Sequence, residues 1–218
     1  MTDATADFTD LPDLAGERFG SAVIAANDEF FAPKEALIKA GAPEWREGVY
    51  TERGKWMDGW ETRRRRDPGY DWAIVRLGLP GVVRGVVIDT SFFTGNFPEE
   101  ASIDACTLTG TPSTALLTSA ETQWFPLLAP SKLVGNTANP IEVISDRRVT
   151  HLRLNIFPDG GVARLRVHGE AMPDPAATAG PPPRARRSPP GLPALAKANC
   201  PCRTYHGAAV DRACECRG

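Results

Sequence analysis

The chain has 218 residues, of which 42% are hydrophobic and 24% charged, and its formal net charge is -2 at pH 7. That composition belongs to a soluble globular protein with room for one ordinary domain, or one domain and a tail. No apolar run approaches the ~20 residues that cross a bilayer. Residues 1–172 carry 18 basic and 24 acidic side chains, so they have no overall basic field to draw in nucleic acid.

Residues 1–13 read as a flexible, polar lead. The first seven are acidic and polar, with neither the basic nor the apolar part of a signal peptide, which predicts a cytoplasmic protein without membrane attachment. Cys106 is alone in the body of the chain and agrees with a reducing compartment. Residues 21–26 are short, apolar and bounded by Gly20 and Asn27-Asp28, as a first strand would be. Residues 34–40 predict a short helix that stops at Gly41.

The stretch 55–72 gathers Trp56, Trp60 and Trp72, four consecutive arginines from Arg63 to Arg66, and Asp58, Glu61, Asp67 and Asp71. It reads as a charged, aromatic loop feeding a strand, which is how a β scaffold presents a site. Strands are expected at 71–78 and 82–90, joined by a tight turn at Leu79-Pro80-Gly81, and again at 102–109. The Pro-, Gly- and Asn-rich segments 94–100 and 126–140 read as loops. Residues 148–157 and 162–169 read as a hairpin pair across Pro158-Asp159-Gly160-Gly161. Short strands at this spacing, with little helix, predict an all-β sandwich.

After residue 173 the character changes. Residues 174–218 are rich in proline and arginine, lack apolar periodicity, and read as a disordered tail. Their Cys200-Pro201-Cys202 and Cys214-Glu215-Cys216 are weaker zinc signals than two Cys-x-x-Cys pairs.

Residues 14–173 resemble the allantoicase (allantoate amidinohydrolase) family. The matching stretches include Asn27-Asp28-Glu29-Phe30-Phe31-Ala32, Met57-Asp58-Gly59-Trp60-Glu61-Thr62-Arg63-Arg64 and Asp71-Trp72-Ala73-Ile74-Val75-Arg76-Leu77-Gly78. They continue through Thr90-Ser91-Phe92-Phe93-Thr94-Gly95-Asn96-Phe97-Pro98, Asn139-Pro140, and the run from Thr150 to Gly161. The resemblance implies a jelly-roll β-sandwich of the galactose-binding-like kind. It also implies hydrolysis of allantoate to ureidoglycolate and urea in purine degradation. Family members hold two such repeats, and this sequence matches the first alone. The tail over 174–218 is unlike the family, as a frameshifted or truncated reading frame would leave it.

Allantoate is a small anion with a carboxylate and two ureido groups on one carbon. Its hydrolysis needs an acid for the departing urea and a base for water. Asp58 and Glu61 are the expected catalytic pair. Arg63 and Arg64 are expected to hold the carboxylate, since a guanidinium can donate two parallel hydrogen bonds. Asn96 can meet a ureido group, because its amide both donates and accepts. Trp60 joins the substrate-binding set, although it also suits core packing, and Arg65 and Arg66 read as a solvated charge run. His151 and His168, on expected strands, read as structural. No spacing in the body specifies a metal, and a divalent ion held by scattered residues stays open. The expected partners are a small-molecule substrate and a second copy of the chain. Two alternatives stand beside the enzyme: a binding module that does not turn its ligand over, and an inactive truncated fragment.

Overall fold

A computed structural model describes residues 7–172. The expected tail over 174–218, its cysteines included, and residues 1–6 of the lead lie outside the described residues. In chain order the strands are β1 (Ala22–Ala26), β2 (Tyr50–Thr51), β3 (Gly54–Lys55), β4 (Trp60–Glu61), β5 (Asp71–Asp89) and β6 (Glu100–Cys106). They continue as β7 (Phe125–Lys132), β8 (Ala138–Glu142), β9 (Arg148–Phe157), β10 (Gly161–Val162) and β11 (Arg164–Ala171). A short helix, α1 (Thr114–Thr118), is capped by Ser113, whose hydroxyl accepts from the Leu116 N–H. The helix expected near the N-terminus is a 3-10 turn, Lys34–Ile38, that buries Ala36, Leu37 and Ile38. Among the described residues no helix is long and apolar enough to cross a membrane.

The 19-residue β5 organises the jelly roll. Its sequence is dominated by Val, Ile and Leu, which suit a pleated strand buried on both faces. The first half is flanked by β1 and β9, and the second half by β8 and β11. One strand therefore runs through both layers of the sandwich. Ala73, Val75 and Leu77 from its first half share one core with Val83, Val86 and Ile88 from its second. Leu152, Leu154 and Ile156 of β9 and Leu165 and Val167 of β11 close that core.

Three expectations are corrected. Leu79-Pro80-Gly81 is not a turn between two strands. It lies inside β5, where the register with β9 shifts between Arg76 and Gly81, and a proline is tolerated at such an irregularity. Strands β9 and β11 do not form a hairpin, because both pair with β5 instead. Finally, the segment 126–140 is largely strand, not loop. Its prolines fall on β7 and β8, each of which pairs with a single neighbour, so a missing N–H can face away from the ladder.

Candidate active site

Side chains alternate across an extended segment, and from Trp60 to Arg63 this sorts core from site. Trp60 is fully buried and donates its indole N–H to the Asp28 carbonyl at 2.8 Å. Thr62 is also buried, and its hydroxyl accepts from the Gly160 N–H at 3.1 Å. Glu61, between them, faces a cavity. Its backbone is held on both sides, by pairing with Gly161 and by a bridge to Ala32.

The segment read as a hairpin turn, Asp159-Gly160-Gly161, is instead a clamp. The Gly161 N–H donates to the Asn96 carbonyl at 2.7 Å. The Asp159 carboxylate accepts from the Arg65 N–H at 2.8 Å. Gly160 has φ 137°, and a Cβ there would stand 2.7 Å from the Asn96 carbonyl oxygen. Only glycine fits that conformation and that approach. The outcome is a direct contact: Asn96 Nδ2 donates to Glu61 Oε1 at 2.6 Å.

Glu61 and Asn96 line a cavity of about 540 Å³ with Thr94, Asn136 and Lys55. Phe31, Trp45, Met57 and Phe92 supply its apolar wall. A concave, partly apolar space with a few converging polar groups suits a small molecule. Phe92 adopts φ 70°, a conformation that bulky residues rarely take. Asn136 holds it there by accepting from the Phe92 N–H at 2.8 Å. Backbone held in this way is a feature of functional sites. Burial pushes the Glu61 carboxyl above the ordinary glutamate range, and the Asn96 amide offsets part of that rise.

The other expected site residues lie elsewhere. Asp58 is buried and does not line the cavity; it accepts from Arg164 Nη2 at 2.5 Å, Lys39 Nζ at 2.8 Å and the Glu44 N–H at 3.0 Å. Burial raises its pKa, but those donors outweigh burial and hold it at about 2. Arg63 and Arg64 line a separate groove of about 390 Å³ with Asp28, Arg65, Arg66 and Asp71. Arg63 pairs with Asp28 at 2.7 Å and lies over the Phe30 ring. Arg65 is not a solvated charge, since it is half-buried and pairs with the buried Asp71 at 2.7 Å. His151 is buried beside Thr150, and burial, helped by the Arg76 charge, lowers its pKa to about 4. His168 contacts the Leu11 carbonyl at 2.8 Å. Among the described residues no three His, Cys, Asp or Glu side chains cluster as metal ligands would.

Residues 12–172 match the allantoicase-repeat family. The chain belongs to the allantoicase family. A probable allantoicase of Nocardia farcinica is 55% identical over 170 residues, covering 78% of this chain and 51% of that protein. The crystal structure of Saccharomyces cerevisiae allantoicase superposes with a TM-score of 0.67 at 30% identity, covering 79% of this chain and 54% of that one. The C-terminal domain of a chitobiase from Bacteroides fragilis superposes with a TM-score of 0.51 at 12% identity and shares the fold alone. The chain spans about half the length of the curated relatives it matches.

The whole cavity lies within the allantoicase-repeat match. Of the residues expected at the site, this cavity holds Glu61 and Asn96; it also holds Lys55, Trp45, Phe92 and Asn136, which the expected set did not include. Phe92 stands in one of the stretches that carried the resemblance, so its neighbourhood was visible although its role was not. Lys55 opens the stretch 55–72, so its neighbourhood was visible too, whereas Trp45 and Asn136 left no local signal, because each reaches the cavity through tertiary packing.

Proposed function

We propose that this chain carries an allantoicase site, which hydrolyses allantoate to ureidoglycolate and urea with Glu61 as the proton-transfer group. The observation that supports this reading is the half-buried Glu61 carboxyl held by Asn96 at 2.6 Å in a small cavity. Family membership supports the reaction class, and the cavity geometry supports the role given to Glu61.

Glu61 in its acid form donates a proton to the ureido nitrogen on the central carbon of allantoate. The C–N bond breaks and its electron pair leaves with urea. The lone pair of the remaining ureido nitrogen forms a C=N bond to the same carbon. The Glu61 carboxylate then takes a proton from water as the water oxygen bonds to that carbon. One water is consumed, urea and ureidoglycolate form, and Glu61 is again protonated. A carboxyl with a raised pKa suits the first step, because more of it carries a proton near neutral pH. The amides of Asn96 and Asn136 and the Thr94 hydroxyl offer the donors and acceptors that a ureido group needs. Asp58 is a positioning residue in this reading: with Arg164 it ties the segment around Glu44 to β11, next to the cavity-lining Met57.

A cytoplasmic setting fits the reading, since Cys106 is buried and forms no disulfide among the described residues. Self-association fits it as well, because Tyr50, Val134 and Ile144 are apolar and exposed. The experiment that tests the function is incubation of the purified full chain with allantoate and measurement of urea. Urea above background is expected, and its absence from folded protein would remove the reading.

A further inference from the structure

We infer that Lys55, resting on the Trp45 ring inside the Glu61–Asn96 cavity, is the cation that takes the substrate's carboxylate. This rests on the allantoicase reading of the cavity and assigns a binding residue within it. The substrate's carboxylate leaves water for a partly enclosed space, and a positive partner there offsets the cost of that desolvation.

Lys55 is the cationic side chain among the residues lining this cavity. Its Nζ lies 4.1 Å from the centroid of the Trp45 ring. Among the described residues it forms no ion pair. A cation resting on an aromatic face, with no anion of its own, is available to an incoming one.

The backbone around it is fixed. Lys55 pairs with Tyr50 across the β2–β3 hairpin, and the next residue, Trp56, donates its N–H to the Val49 carbonyl at 3.0 Å. Trp45 is fixed as well, with its ring 5.7 Å from that of Phe92, the residue held at positive φ by Asn136. The ammonium therefore rests on an aromatic ring that lines the same cavity as the candidate ureido-binding amides.

The competing location is the arginine groove. Arg63 there is already paired with Asp28, and neither Arg63 nor Arg64 lines the space that holds Glu61. A carboxylate held by those arginines would sit in a different groove from the proton-transfer group.

Calorimetric titration with two small probes separates the possibilities. Ureidoacetate keeps a carboxylate and one ureido group, and ureidoacetamide replaces the carboxylate with a neutral amide. The full-length wild-type chain is expected to bind ureidoacetate more tightly. Lys55→Met, which keeps most of the stem on Trp45, should weaken ureidoacetate by about tenfold or more, the scale of a lost charge-assisted bond. Its affinity for ureidoacetamide should not change, and Lys55→Arg should recover most of the loss. A merely structural lysine would move both probes together. Unchanged ureidoacetate binding in Lys55→Met, with urea release from allantoate retained by the wild-type chain, would overturn the assignment while leaving the cavity reading intact. A wild-type chain that binds neither probe and releases no urea from allantoate would overturn both.

Discussion

Asn96 donates its side-chain amide to Glu61 Oε1 at 2.6 Å, although the two residues belong to separate segments of the chain. The contact matters because it works against burial. Burial raises the Glu61 pKa, and the Asn96 donor holds part of that rise back. In the proposed reaction, that balance suits a group that gives up a proton and takes one again within a turnover.

Removing the donor should therefore shift the acid–base behaviour as well as the rate. In Asn96→Ala, burial acts on Glu61 unopposed, so its pKa rises further. The limb of the pH–rate profile set by Glu61 should move to higher pH, and kcat/KM for allantoate should fall by about tenfold or more. The measurement is urea release across pH. A lower rate with an unmoved limb would mean that Asn96 serves binding alone.

Asp58 governs stability at low pH. Its folded pKa is depressed to about 2, so its contribution is present above the unfolded aspartate value near 3.8. That contribution is lost as pH falls from about 4 through about 2. Asp58→Ala leaves the Arg164 guanidinium, only 3% exposed, without its anion. The expected loss is roughly 3 kcal/mol near neutral pH, at the low end for a broken buried pair because Arg164 keeps backbone carbonyl acceptors. Denaturant unfolding at stepped pH values checks this: the difference between wild type and variant should shrink as pH approaches 2.

Gly160→Ala tests the clamp. The substitution places a Cβ against the Asn96 carbonyl at a φ of 137°. The strain should cost about 1–3 kcal/mol. It should also displace Asn96 from Glu61, so urea release should fall by more than the thermal midpoint alone would suggest. A variant that loses stability but keeps full kcat/KM would show that Asn96 is held by other means.

These relationships explain what could and could not be read from the chain. The all-β sandwich was legible because apolar alternation survives in the strands around the core, and its jelly-roll kind was legible through the family resemblance. The single strand through both layers was not, since Leu79-Pro80-Gly81 has the chemistry of a turn and only pairing to four neighbours shows it to be an irregularity within β5. Prolines likewise masked β7 and β8, because edge strands tolerate them. Asp159-Gly160-Gly161 looked like a hairpin turn for the same reason that it works as a clamp: glycine permits positive φ and close approach. At the site, Glu61 and Arg63 alternate with buried neighbours in one short run. Whether they share a cavity depends on residues such as Phe31, far away in sequence, and no spacing rule supplies that.

The most direct measurement compares urea release from allantoate by the wild-type chain and by Glu61→Gln. The amide keeps the shape of the side chain but cannot shuttle a proton. It should not unfold the protein: because the Glu61 pKa is raised by folding, its ionisation weakens the native state as pH rises, and glutamine is free of that effect. The account predicts urea release by wild type and a loss of about a hundredfold or more in kcat for Glu61→Gln, with KM little changed. A folded Glu61→Gln variant that releases urea at the wild-type rate would contradict it.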